Sequence, residues 1–211
     1  MRKFYVLGWA TGLLLTLQSC GLFGGPVVKK VTVESYQTQC AAPSYPFVQT
    51  LCMVMLEPNG ERTLVTGIGD FDYEWGHRYV LVIEEREPDP NLADSPPVLR
   101  DLAELVSKKQ ETPGTPFETR LETVFPARDV SEGASRHIIT REAPDRFAFF
   151  KRDEDYGVGR AFTCEAALCE EMSALIEQEL ELTLEFAHPE SSDEPLLLKR
   201  VVDTNALPEG Y

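Results

Sequence analysis

The chain has 211 residues, enough for one large or two small domains, and 43% of them are apolar, which suffices for a core. With 20 Lys and Arg against 35 Asp and Glu, the formal net charge is −15. That balance argues against nucleic acid as a partner, because phosphate contacts need cationic side chains to displace counterions.

At the N-terminus, Arg2 and Lys3 precede an uncharged, mostly apolar stretch from Phe4 to Leu17, followed by Gln18, Ser19 and Cys20. This is the layout of a secretory signal. The stretch is shorter than the roughly 20 residues of a spanning helix. Leu17-Gln18-Ser19-Cys20 resembles the bacterial lipobox, with a leucine three residues before the cysteine and a small residue directly before it; Gln18 departs from the usual pattern. The resemblance implies that residues 1–19 are a signal peptide and that Cys20 becomes the acylated first residue. Several acyl chains make such an anchor effectively permanent. Gly21 in place of an aspartate points to the outer membrane if the source has two membranes. Cleavage leaves 18 Lys and Arg against 35 Asp and Glu, a net of −17, on a body held by a lipidated tether of residues 20–26. A surface so acidic chiefly maintains solubility and leaves room for cationic partners.

Residues 27–110 read as a first β-rich domain. Val31 and Val33 open an alternating segment, and Leu51 to Leu56 is a continuous apolar run ended by Pro58-Asn59-Gly60, the signature of a strand buried on both faces. Tyr79, Leu81 and Ile83 alternate with Val80 and Val82 before Glu84 and Glu85. Val98 to Val106 fits a helical stripe nearly as well as an extended one and is taken as a strand. Residues 111–116, with Pro113, Gly114 and Pro116, form a linker.

Residues 117–205 read as a second β-rich domain, followed by a tail of residues 206–211. Arg146 to Lys151 is an apolar run, and Leu168, Met172, Leu175 and Ile176 make one helical stripe. Leu182, Leu184 and Phe186 alternate with Glu181, Thr183 and Glu185, one face for the core and one for solvent. Leu196 to Val202 supplies a partner strand. Leu81-Val82-Ile83-Glu84 with Pro88-Asp89 and Val98-Leu99-Arg100 is echoed in order by Leu182-Thr183-Leu184-Glu185, Pro189-Glu190 and Leu197-Leu198-Lys199-Arg200. The fold class expected is therefore mainly β with one short helix, arranged as two small tandem barrel-like domains of the oligonucleotide/oligosaccharide-binding type; a chance likeness between β-rich halves is the alternative to a true repeat.

If Cys20 carries lipid, Cys40, Cys52, Cys164 and Cys169 remain, an even number suited to an oxidising compartment. Of three connectivities, Cys40 with Cys52 and Cys164 with Cys169 is favoured because each pair then stays within one domain. In the chain-entropy model the two loops are worth about 3 and about 2 kcal/mol. A helix running from Cys164 would hold Cys164 and Cys169 too far apart, so the pairing requires a helix that starts near Leu168. A metal site is the competing use, yet neither pair has C-x-x-C spacing or a neighbouring histidine.

Cys40 and Cys52, then Gly69-Asp70-Phe71-Asp72-Tyr73-Glu74-Trp75-Gly76 leading into Tyr79, Leu81 and Ile83, and later Asp94-Ser95 and Leu105-Val106-Ser107-Lys108, make residues 40–109 similar to the bacterial envelope family called domain of unknown function 4377. His77 departs from the aromatic residue usual there, and Asp70 resembles an insertion. The resemblance implies lipoprotein-type export and no activity.

No catalytic, cofactor-binding or metal motif emerges. Phe71, Tyr73, Trp75 and Tyr79 are either a stacking patch for sugars or peptides or a plug of the core. Gly157-Val158-Gly159-Arg160 lacks the third glycine of a phosphate loop and reads as a turn. The acidic runs Glu87 to Asp94 and Asp153 to Gly157 lack the calcium-loop pattern. His77, His137 and His188 stand apart with no ligand spacing and read as surface or strand residues. The expectation is a lipid-anchored, non-enzymatic module of the cell envelope, with the membrane and an envelope protein, peptide or glycan as partners. A carboxylate-dependent hydrolase and a calcium-stabilised structural protein are the alternatives, and a pocket holding two perturbed carboxyls would favour the former.

Overall fold

A computed structural model describes residues 25–42, 45–89, 91, 96–125, 137–150 and 159–207. The strands β1 (Val27–Ala42), β2 (Tyr45–Leu56), β3 (Arg62–Val65), β4 (His77–Arg86) and β5 (Leu99–Gln110) form an antiparallel sheet in the order β3-β2-β1-β4-β5. A second sheet contains β6 (Pro116–Glu122), β7 (Ile139–Ala143), β8 (Arg146–Phe149), β9 (Arg160–Thr163), β10 (Leu180–Ala187) and β11 (Leu196–Ala206), in the order β6-β10-β11-β9-β8-β7. Helix α1 (Ala166–Ile176) lies between β9 and β10 in the chain, and β9 runs parallel to β11. Among the described residues the protein is mainly β with one short helix.

Among the described residues the expected barrels do not form. Each sheet is open, with β3 and β5 at the edges of the first and β6 and β7 at those of the second. Closure would require the edge strands to meet, but the free edge of β6 is occupied by side chains of β1 instead. The echo between the halves also stops at the local pattern. The first sheet is wholly antiparallel with β5 at its edge, whereas β11 is internal and has a parallel neighbour.

Burial explains the strands that the sequence foretold. Cys52, Met53, Val54 and Met55 are all buried, as expected for a run covered on both faces, and Tyr79, Leu81 and Ile83 point into one core. Val31, Val33, Met53, Met55, Leu81 and Ile83 form the centre of that core, onto which Ile68, Phe71 and Tyr73 pack from the segment before β4. The second core is aromatic: Phe147, Phe149, Phe162 and Phe186 are fully buried, with Phe147 stacked on Phe162 at 5.3 Å. Helix α1 closes it with Cys169, Met172 and Ile176.

Both expected cystines are present, Cys40–Cys52 with a Cα separation of 5.9 Å and Cys164–Cys169 with 5.5 Å. The helix starts two residues earlier than the expected Leu168. The bond is still possible because Cys164 precedes the cap residue Glu165, whose backbone is extended, and so escapes the helical rotation.

Strand β1 joins the two sheets. Val27 to Val33 pair with β4, and Thr32 and Val33 pair with β2 as well; between Val33 and Gln37 the register against β2 slips, and from Gln37 on the strand pairs with β2 alone. A bulge of this kind turns a strand and re-aims its side chains. Beyond it, Thr38 Oγ1 donates to the Arg120 carbonyl at 3.2 Å and accepts from the Arg120 N–H at 3.2 Å. Gln39 Oε1 accepts from the Glu122 N–H at 2.7 Å, and Thr119 Oγ1 donates to the Gln37 carbonyl at 2.9 Å. These contacts take the place of a pairing strand, satisfying groups that an edge otherwise leaves open.

Candidate functional site

Two features at the junction of the sheets concentrate polar side chains. The first is a cleft of about 540 Å³ whose walls include Gln39, Cys40, Gln49, Arg62, Arg120 and Glu122. Its size is that of a ligand pocket. Polar side chains in its walls are cross-linked: Gln39 Nε2 donates to Gln49 Oε1 at 3.2 Å and to Glu122 Oε2 at 2.8 Å, and Arg120 is paired with Glu181. Glu181 also lines it.

The second feature is enclosed. The bulge of β1 presents Ser35, whose Oγ lies 2.9 Å from Nε2 of His188, just after β10. The imidazole stacks on Phe117 with 4.5 Å between ring centres. Its backbone N–H donates to the Thr115 carbonyl at 3.0 Å and its carbonyl accepts from the Gly114 N–H at 2.9 Å, so it also holds the connection between the sheets. Burial pushes the His188 imidazole below its ordinary value; Glu111 opposes the shift, and Arg160 and Arg78 reinforce it. A serine hydrogen-bonded to a histidine is the start of a nucleophilic pair. Here Ser35 and His188 are only 3% and 4% exposed, and His188 Nδ1 is buried without a hydrogen-bond partner, so among the described residues no carboxylate orients the ring, and the hydroxyl is closed to a substrate. The pair is a structural contact.

Trp75 stands beside it. The Arg160 guanidinium lies 5.8 Å from the centre of its ring, and Tyr73 meets it edge-on at 6.3 Å. Burial pushes the Tyr73 hydroxyl well up and the Arg160 guanidinium down.

The four aromatic residues considered as a patch are thus divided. Tyr79 is 2% exposed and has Phe71 edge-on at 4.9 Å in the first core; Tyr73 leans on the same core, and Trp75 packs against the second. Several backbone groups of the Gly69 to Gly76 segment are tied down one by one. The Gly69 N–H donates to the Arg100 carbonyl, the Glu74 N–H to Tyr79 Oη at 3.1 Å, and the Gly76 N–H to the Ser35 carbonyl at 2.8 Å. Gly76 has φ +79°, a conformation glycine adopts without penalty.

Cys20 lies outside the described residues, as do Asp153 to Val158, Pro90 and Leu92 to Ser95. Asp89 accepts from the backbone N–H and the side-chain amide of Asn91, at 2.9 and 2.8 Å. Among the described residues no group of three or more His, Cys, Asp or Glu is placed to hold a metal. Gly159 opens β9 against the Phe149 and Phe150 backbones, where a Cβ would come within 2.6 Å, a close approach that explains the glycine without a phosphate. His77 Nδ1 lies 3.3 Å from the Trp75 carbonyl and 3.4 Å from Glu74 Oε1. His188, read from the sequence as a surface or strand residue, is instead buried at the centre of the junction. Ser35 and Arg160 were missed as well, since Ser35 is 153 residues from its partner and no local pattern marks it.

Glu74 and Glu85 are both held below the usual carboxylate range. For Glu74 the first cause is the hydrogen bond from Lys108. For Glu85 burial pushes upward, and the Lys29 hydrogen bond with the Arg100 and Lys29 charges outweighs it. A general acid needs the opposite shift.

The chain matches no protein-family model, no curated protein and no solved structure. Its likeness to domain of unknown function 4377 therefore rests on the residues quoted for it.

Proposed function

We propose that the protein is a lipid-anchored bacterial envelope lipoprotein whose two-sheet body is a non-enzymatic binding or envelope-maintenance module. One observation supports the anchor most directly: of five cysteines, Cys40, Cys52, Cys164 and Cys169 are joined in pairs, leaving Cys20 as the odd thiol, and it sits in the lipobox-like Leu17-Gln18-Ser19-Cys20. Cystines also suit an oxidising compartment outside the cytoplasm. The binding reading draws on the open cleft between the sheets and on a Ser35–His188 pair too enclosed to act on a substrate. Metabolic labelling with a radioactive fatty acid tests the anchor. Wild type should carry label, fractionate with membranes and migrate as the shortened form, and Cys20→Ala should lose the label and the shortening together. An unlabelled wild type, or a variant processed as wild type is, refutes the reading.

A further inference from the structure

The most demanding contact at the junction is a neutral imidazole enclosed between two sheets with one of its nitrogens unpaired. We propose that Ser35 and His188 form a pH-sensitive latch: in mildly acidic surroundings a proton on His188 breaks the fit and loosens the second sheet from the bulge of β1. This inference rests on the junction alone and stands or falls independently of the lipid anchor.

The argument begins with hydrogen-bond capacity. Neutral imidazole has one N–H and one lone pair, and the 2.9 Å contact of Nε2 with Ser35 Oγ is satisfied in either tautomer, since the hydroxyl can donate or accept. With the proton on Nε2, the unpaired atom is a bare Nδ1 lone pair, the cheaper group to leave buried. Protonation makes both nitrogens donors. Nδ1–H is then a buried charged donor with no acceptor.

The charges around the ring do not offset this. From β9, Arg160 faces it, and from β4, Arg78 does; both disfavour a third positive charge. Glu111, in the connection after β5, is the acid that favours it, but Glu111 is engaged with Arg78 at 3.2 Å. Glu34 of β1 is likewise taken by Arg78, at 2.7 Å. Asp193, after β10, acts on Arg160. From β6 the ring meets the face of Phe117, and Gly76 approaches Nδ1 with only the space of a Cβ between them.

The sign follows from linkage. A histidine held neutral in the fold binds its proton less readily than in the unfolded chain, whose ordinary value is 6.5, so the unfolded state carries more protons below that point. Stability is complete above about pH 6.5 and is lost as pH falls from there toward the folded value. What yields first is the contact the ring maintains: Ser35 across the sheets, and Gly114 and Thr115 in the connection.

Trp75 reports on this place, because it packs against Phe117 and under Arg160. The chain has two tryptophans, so the full chain carrying Trp9→Phe, in mild detergent, has Trp75 as its single emitter. As pH is lowered from 7.5 to 5.0, emission should move to longer wavelength with a midpoint below 6.5, and the added substitution His188→Gln, which keeps a hydrogen-bonding group for Ser35 and does not titrate, should abolish the shift. An unmoved emission in the parent, or an equal shift in the His188→Gln variant, overturns the latch. If the glutamine variant does not fold, the imidazole C–H resonance of His188 in the parent decides: titration below 6.5 supports the proposal, and titration at or above it overturns it.

Discussion

The two sheets solve one problem in different ways. Each has an apolar face that must be covered, and the second is covered by α1, while the first is covered by Ile68, Phe71 and Tyr73 from an irregular segment whose backbone is tied down at Gly69 and Gly76. A helix satisfies its own backbone and can deliver Cys169, Met172 and Ile176 from one stripe. An irregular cover has to find partners for each N–H separately, so it stays short and relies on large rings. Removing a ring should therefore matter more in the aromatic core than in the plug. Phe162, fully buried and in contact with Phe147, Phe149 and Phe186, should lose about 3–5 kcal/mol on Phe162→Ala, whereas the half-buried Phe71 should lose about half as much on Phe71→Ala. Urea unfolding measures both, and equal losses would break the contrast.

The cystines sharpen the same comparison. Cys40–Cys52 spans 12 residues and ties β1 to β2 where β1 has left β4; Cys164–Cys169 spans 5 and secures the start of α1. Loop entropy alone makes the first worth about 3 kcal/mol and the second about 2 kcal/mol. Paired Cys→Ala variants at each site, compared by urea midpoint, should fall in that order; the reverse order would show that helix initiation outweighs loop closure.

The smallest effect lies in the first sheet's charge network. Lys29 Nζ is 2.7 Å from Glu57 and 2.8 Å from Glu85, and Arg100 Nε is 2.7 Å from Glu85. Glu85, held below its ordinary 4.5, contributes stability that is present above that value and lost as pH falls through the folded one. Solvent screening keeps the contribution under about 1 kcal/mol. Glu85→Gln should therefore flatten stability slightly below pH 4.5 and leave the limb between pH 5.0 and 7.5, where His188 acts, unchanged. Thermal melts across both ranges separate the two groups.

Much of the secondary structure was legible where the pattern was long and apolar. The run Leu51 to Leu56, the alternation of Tyr79, Leu81 and Ile83, that of Leu182, Leu184 and Phe186, and the stripe of α1 each correspond to an element. The elements missed are short or carry polar residues inward. In β6 the buried positions are Phe117, Thr119 and Leu121, and Thr119 interrupts the apolar alternation while its hydroxyl serves β1. In β3 and β9 four residues are too few for a period. The aromatic segment leading into β4 reads from the sequence as a candidate plug or patch, but its division between two cores is invisible there because it depends on which sheet each ring meets.

Local periodicity and composition determined by themselves that this protein is β-rich, carries one helix and can close two cystines within short loops, since each follows from interactions between residues near one another in the chain. Tertiary structure alone decided that the sheets stay open, that β9 lies parallel to β11, and that Ser35 meets His188. Those outcomes depend on which edges find partners and on a bulge that turns β1 away from β4, and such pairings are settled by packing across long separations rather than by the pattern of any one segment.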